Sequence, residues 1–186
     1  MAKKIGIILG STRQGRISPA IAKWVAAGVA KHPELSAEML DLEAINLPFF
    51  NEPSIPSVAP GVSEAAVSWK ATVESFDAFI ILTAEYNAGY PAPLKNALDY
   101  LKSEWANRPI FTISYGFGGG TAAAHQLSEV LTRIGTVQIE PSIAILIGDK
   151  LNANGGIDDP HTSFGIHDEE LDIALTAIEA WVPTEE

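Results

Sequence analysis

Short apolar runs that alternate with amphipathic helical stripes constrain this chain more than any other feature. Ile5-Gly6-Ile7-Ile8-Leu9 is apolar throughout and rich in β-branched residues, the pattern of a strand covered on both faces. Ser18-Pro19 then has the chemistry of a helix start, a hydroxyl cap followed by a proline suited to the first turn. Ile21, Trp24, Val25, Gly28 and Val29 fall on one side of that helix. The same alternation continues with a weaker strand over 36–42, a helix near 62–75, a strand over 78–83 and a helix over 93–101. A strand over 109–114, a helix over 121–134, a strand over 136–147 bent at Pro141, and a last helix over 168–181 complete it. Two longer connections stand out, the proline-rich stretch 47–60 and a polar, Gly-rich loop 148–163. Five strands alternating with helices predict a parallel sheet with helices on both faces. Right-handed crossovers favour the strand order 2-1-3-4-5, whose switch point lies between strands 1 and 3.

At 186 residues the chain has room for one well-buried domain, expected to span 1–186. A formal net charge of −11 disfavours nucleic acid and anionic membrane surfaces as partners. With no cysteine, disulfides, thiolate catalysis and Cys-ligated zinc are excluded. That composition fits a reducing compartment, and a soluble, cytoplasmic protein is expected. Lys3-Lys4 before the first apolar run resembles the start of a signal peptide. The run is brief and passes into Gly10-Ser11-Thr12-Arg13 without a cleavage pattern, so a buried first strand is the expectation.

Three loops should meet at the switch point. Gly10 to Ser18 offers hydroxyls (Ser11, Thr12, Ser18), guanidinium groups (Arg13, Arg16), backbone N–H groups and a helix N-terminus, the parts that hold a terminal phosphate. It lacks both the Gly-Lys-Ser/Thr ending of a P-loop and a G-x-G-x-x-G fingerprint. The bland alternative, a polar turn with solvated arginines, explains the loop less well. After the third strand, Thr83 to Pro91 combines an aromatic, a carboxamide and flexible backbone. It fits equally a loop presented to a planar heterocycle and a packed turn in which Asn87 and Gly89 serve backbone angles. After the fourth strand, Ser114-Tyr115-Gly116-Phe117-Gly118-Gly119-Gly120 lets the backbone approach a flat ligand closely. Ser114 lacks the G-x-S-x-G surroundings of a hydrolase nucleophile. Asp158, Asp159, His161, His167 and Asp168 cluster in sequence without metal-ligand spacing, so no metal site is expected. Trp24, Trp69, Trp105 and Trp181 are expected on helices, as core or subunit-contact residues.

Three stretches together resemble the NADPH-dependent FMN reductase family, a flavodoxin-like group that includes quinone, azo-dye and chromate reductases. They are Gly10-Ser11-Thr12-Arg13, Glu85-Tyr86-Asn87 through Pro93-Leu94-Lys95-Asn96-Ala97-Leu98-Asp99, and Ser114 to Gly119. The middle stretch is the most specific. The resemblance implies a flavodoxin-like three-layer sandwich and an oxidoreductase that passes hydride from NADPH or NADH to bound FMN and on to a small-molecule acceptor. It implies that Ser11, Thr12, Arg13, Arg16 and Ser18 serve the FMN phosphate. Ala84, Glu85, Tyr86, Asn87, Ser114, Gly116, Gly118 and Gly119 would serve the isoalloxazine ring, with no side chain acting as an obligatory acid or base. Together with the 47–60 loop it points to a homodimer or homotetramer. The chain departs from the family in Ala84, where proline is common, and in Arg16, where many members carry serine or threonine. A flavodoxin-type electron carrier is the rival reading.

Overall fold

The computed structural model describes residues 2–183. Its five strands are β1 (Lys3–Leu9), β2 (Leu35–Asp41), β3 (Ala78–Ala84), β4 (Pro109–Gly116) and β5 (Val137–Leu146). They form one sheet in the order β2-β1-β3-β4-β5, every neighbouring pair parallel, as the alternating pattern predicts. Central β3 is buried at every residue, because helices cover both of its faces. Its side chains alternate between two core layers. Ile80 and Leu82 join Ile5, Ile7 and Leu9 beneath helices α1 (Ser18–Val29) and α7 (Asp168–Ala180). Phe79 and Ile81 join Trp69 and Trp105 beneath α3 (Glu64–Glu74), α4 (Ala92–Asp99) and α5 (Thr121–Ile134).

Side-chain volume sets how closely these helices approach. A Cβ on Gly28 would lie 2.7 Å from Leu171 Cδ2, so the glycine is what lets α1 and α7 pack this tightly. Trp24 Nε1 donates to Asp168 Oδ1 at 2.7 Å across the same seam. On the other face, buried Trp69 donates its Nε1 to Ala97 O at 2.8 Å, which satisfies the indole while its rings fill the core.

The structure departs from the sequence expectations in four places. A four-residue helix, α2 (Leu42–Ile45), follows β2, capped by the Asp41 carboxylate. Helix α6 (Pro160–Phe164) and a 3₁₀ turn (Gly165–His167) occupy part of the expected 148–163 loop and the residues after it. Trp105 lies in the turn after α4 and Trp181 at the end of α7, not within helices. The 47–60 stretch is a loop, as expected, and is held by α4. Asn96 Nδ2 and Tyr100 OH both donate to Pro48 O, at 2.8 and 2.9 Å, and Asn96 Oδ1 accepts from Phe50 N at 2.8 Å. Among the described residues no helix is long and apolar enough to cross a membrane.

Candidate functional site

The carboxyl ends of β1, β3 and β4 open into a cavity of about 510 Å³. Ser11, Arg13, Arg16 and Ile17 come from the loop after β1, and Ala84, Glu85 and Tyr86 from the end of β3 and the loop after it. Tyr115, Gly116, Phe117 and Gly118 come from the end of β4 and the loop after it, and Ile147 closes the far side.

The two arginines of the first loop have different fates. Arg16 forks onto Asp41 (Nη1 to Oδ1 2.6 Å, Nη2 to Oδ2 2.7 Å), donates to Ser11 O at 2.8 Å and also contacts Glu43. The Asp41 hydrogen bond, against the opposing effect of burial, raises its pKa above the ordinary arginine value. Burial works to raise the Asp41 carboxyl in turn, but the Arg16 hydrogen bond and the Glu43 backbone outweigh it and hold the pKa below the usual carboxylate range. Arg16 therefore pins the loop to the end of β2, and two carboxylates take up its charge. Arg13 is exposed, and among the described residues its guanidinium bonds only Gly15 O, at 3.3 Å, so no carboxylate there takes up its charge.

Behind Arg13 lies a nest of hydroxyls. Ser11 Oγ and Tyr86 OH are 2.5 Å apart. Ser18 Oγ and Tyr115 OH are buried beside each other, close enough to interact weakly, but neither makes a well-formed hydrogen bond to any described residue. Burial pushes Tyr115 up to about 12, with the nearby Ser18 and Ser11 hydroxyls pulling the other way, so it stays protonated and able to donate. Helix α1 starts here, and Ile17 gives it no side-chain cap. A buried hydroxyl without a well-formed hydrogen bond costs about 1–3 kcal/mol, and two beside an uncapped helix start and a free guanidinium fit an oxygen-rich anion.

The other two loops are joined by one side chain. Glu85 Oε2 accepts from Ala122 N at 3.0 Å and Ala123 N at 3.3 Å, capping α5 from outside. Residue 120 cannot supply that cap. Gly120 has φ 72°, and a Cβ there would meet Tyr115 N at 2.7 Å. Tyr86 and Gly89 close a two-residue hairpin (Tyr86 N to Gly89 O 2.8 Å, Gly89 N to Tyr86 O 3.1 Å). Asn87 and Ala88 sit in it at φ 50° and 62°.

Of the residues expected at the site, Ser11, Arg13, Arg16, Ala84, Glu85, Tyr86, Gly116 and Gly118 line the cavity, and Ser18 lies buried near Tyr115. Thr12 instead faces a separate cavity of about 380 Å³ with Asn46, Phe49 and Pro93. Asn87 and Gly119 stand outside the wall, and Ser114 turns away to donate to Gly119 O at 2.7 Å. Ile17, Tyr115, Phe117 and Ile147 are wall residues that sequence reasoning missed. Tyr115 and Phe117 lie inside a stretch already singled out, whereas nothing local marks Ile147. Asp159 caps α6, Asp158 accepts from Asn152 and His167 contacts Glu170, and no cluster able to hold a metal occurs among the described residues.

The sequence model of the NADPH-dependent FMN reductase family matches residues 3–148. An NAD(P)H-dependent FMN reductase of Schizosaccharomyces pombe is 35% identical over 170 residues, covering 90% of this chain and 84% of its own. Another, from Nectria sp, is 36% identical over 149 residues, 77% of this chain and 74% of its own. The structure of FerB, a flavoenzyme NAD(P)H:(acceptor) oxidoreductase from Paracoccus denitrificans, superposes with a TM-score of 0.72 at 25% identity. It covers 96% of this chain and 98% of its own.

Proposed function

The chain belongs to the NADPH-dependent FMN reductase family, and on that premise we propose that the 510 Å³ cavity is its FMN site. The protein is an NAD(P)H-driven, flavin-dependent oxidoreductase. FMN held there would supply the two-electron chemistry between a nicotinamide donor and an electron-poor acceptor such as free flavin or a quinone.

The chain's own residues bind and orient. Arg13, Ser11 and Ser18, with the start of α1, take the phosphate, and Tyr115 OH donates to the same oxygen-rich end. Arg16 contributes indirectly, by keeping Ser11 and its loop in place through Asp41. The backbone from 84–87 and 114–119 takes the ring. Of the donors there, Glu85 N, Tyr86 N and Gly119 N are already bonded to protein carbonyls. Phe117 N and Gly118 N, both from wall residues, bond no described residue and would be the donors left to face negative charge on the ring. Hydride transfer needs two stacked rings in register rather than proton abstraction, so no side chain here has to act as a general base.

We further propose a single FMN-binding domain over 1–186, working in the cytoplasm as a homodimer or homotetramer. The absence of cysteine supports the compartment. Exposed Phe49, Ile55, Val58 and Val62, gathered in and just after the 47–60 loop, support a subunit contact there.

The observation that carries the FMN reading is the pair of buried hydroxyls without a well-formed hydrogen bond, Ser18 Oγ and Tyr115 OH, at the phosphate end. Titration of flavin-free protein with FMN, followed by absorbance, is expected to show binding at micromolar concentration or tighter. Failure of both FMN and FAD to bind there would sink the reading. Oxidation of NAD(P)H with simple acceptors separates this enzyme from a flavodoxin-type carrier.

A further inference from the structure

The wall of the 510 Å³ cavity holds two guanidinium groups, Arg13 and Arg16, at its phosphate end, and a single carboxylate, Glu85, among the residues proposed to take the ring. Glu85 is fixed through both backbone and side chain. Its N–H donates to Tyr115 O at 3.2 Å, and Oε2 accepts from Ala122 N and Ala123 N. Among the described residues the carboxylate makes no other bond, and no lysine, arginine or histidine pairs with it. The residue is only partly exposed, so water screens its charge incompletely.

The cap of α5 needs an acceptor, and a neutral carboxamide oxygen would serve. A carboxylate brings a full negative charge as well. The positive end of the helix offsets roughly half a unit of it, and the remainder falls on the cavity. Negative charge matters there. Hydride from NAD(P)H carries two electrons and one hydrogen nucleus, so the nicotinamide leaves oxidised and a flavin ring is left with one negative charge. Phe117 N and Gly118 N, the free donors in the wall, favour that charge, and Glu85 opposes it.

We propose that Glu85 sets the reduction potential of the flavin held in this cavity, keeping it low so that the reduced ring is a stronger donor to its acceptor. The proposal rests on the cavity being the FMN site. Glu85 acts as a positioning residue toward α5 and as a fixed charge toward the ring, and it gives and takes no proton in the transfer.

The test uses FMN-loaded protein and a spectrophotometric titration against redox dyes of known potential. Glu85→Gln keeps an acceptor for the Ala122 and Ala123 N–H groups and removes the charge. It is expected to favour reduced over oxidised FMN roughly three- to thirtyfold, which for a two-electron couple raises the potential by about 15–45 mV. Anaerobic binding of reduced FMN should tighten by the same factor, while oxidised FMN binds within about threefold of wild type. Glu85→Asp, which keeps the charge on a shorter arm, should move the potential less than half as far. An unmoved or lowered potential in Glu85→Gln would overturn the proposal. So would an equal shift in Glu85→Asp, which would trace the effect to the cap rather than to the charge. Loss of FMN from Glu85→Gln would overturn it too, by making the residue a binding group. Failure of the wild-type protein to take up FMN would show separately that the underlying flavin reading is at fault.

Discussion

The two ends of the sheet treat polar groups in opposite ways. At the amino end several charges are spent on the fold. Lys3 Nζ donates to the carbonyls of Ile178 (3.1 Å), Glu179 (2.5 Å) and Trp181, closing the C-terminus of α7. Asp77 accepts from Lys4 N at 2.7 Å, and Arg108 donates to Phe76 O at 2.7 Å. At the carboxyl end Ser18 and Tyr115 hold buried hydroxyls with no well-formed hydrogen bond, Arg13 faces solvent, and Ala88 sits in a left-handed conformation that suits glycine better. One end is finished by the chain itself. The other is left with groups that the proposed FMN would complete.

Five substitutions test that contrast. The largest effect is expected for Arg13→Ala, which should weaken FMN roughly ten- to hundredfold, the scale of one charge-assisted hydrogen bond. Riboflavin, without the phosphate, should be affected far less. Equal weakening of both flavins, measured by fluorescence titration, would take Arg13 out of the phosphate site. At the other end Lys3→Met should leave FMN affinity unaltered and lower unfolding stability by about 1–2 kcal/mol, because the ammonium satisfies helix-end carbonyls. A urea midpoint identical to wild type would break the comparison from that side.

Smaller still, Tyr86→Phe and His125→Ala should stay flavin-loaded and slow nicotinamide-dependent flavin reduction by less than about tenfold, below the range of a general acid or base. Tyr86 gives up one hydroxyl contact with Ser11, and His125 is a surface residue whose side chain is 80% exposed. Stopped-flow traces a thousandfold slower in either variant would place acid–base chemistry in the protein. The smallest change runs the other way. Ala88→Gly should raise stability by up to about 1 kcal/mol by relieving φ 62°. A lower melting temperature would mean that the hairpin needs the alanine's restraint more than it suffers from the angle.

Much of the layout was legible in the sequence, because it follows from periodicity. The uninterrupted apolar run of β3 and the one-sided stripe of α1 point to a covered parallel sheet, and the switch point follows from the strand order. What stayed hidden depends on partners far apart in the chain. Nothing near Arg16 says that Asp41 will take its guanidinium, so its charge looks available for a phosphate until the end of β2 is placed beside it. Glu85 reads as a ring-loop residue, and its use as a cap for α5 emerges only when two loops meet. Thr12 and Ser114 have suitable hydroxyls in suitable loops, but local backbone direction turns them elsewhere. Trp105 looks helical by spacing, yet α4 ends before it and the indole is buried from a turn, its Nε1 donating to Leu98 O at 3.2 Å.

The Glu85 cap has a further consequence for anyone who alters this site. Because Gly120 cannot carry a capping side chain, the first turn of α5 borrows its acceptor from the loop that precedes the Tyr86 hairpin. The two ring loops and the helix behind them are therefore one mechanical assembly, not three adjustable parts. Redesigning the 84–91 loop for a new ligand disturbs α5 unless the carboxylate is kept. Conversely, anything that steadies residues 84–87 should slow amide exchange at Ala122 and Ala123, in the first turn of the helix behind them.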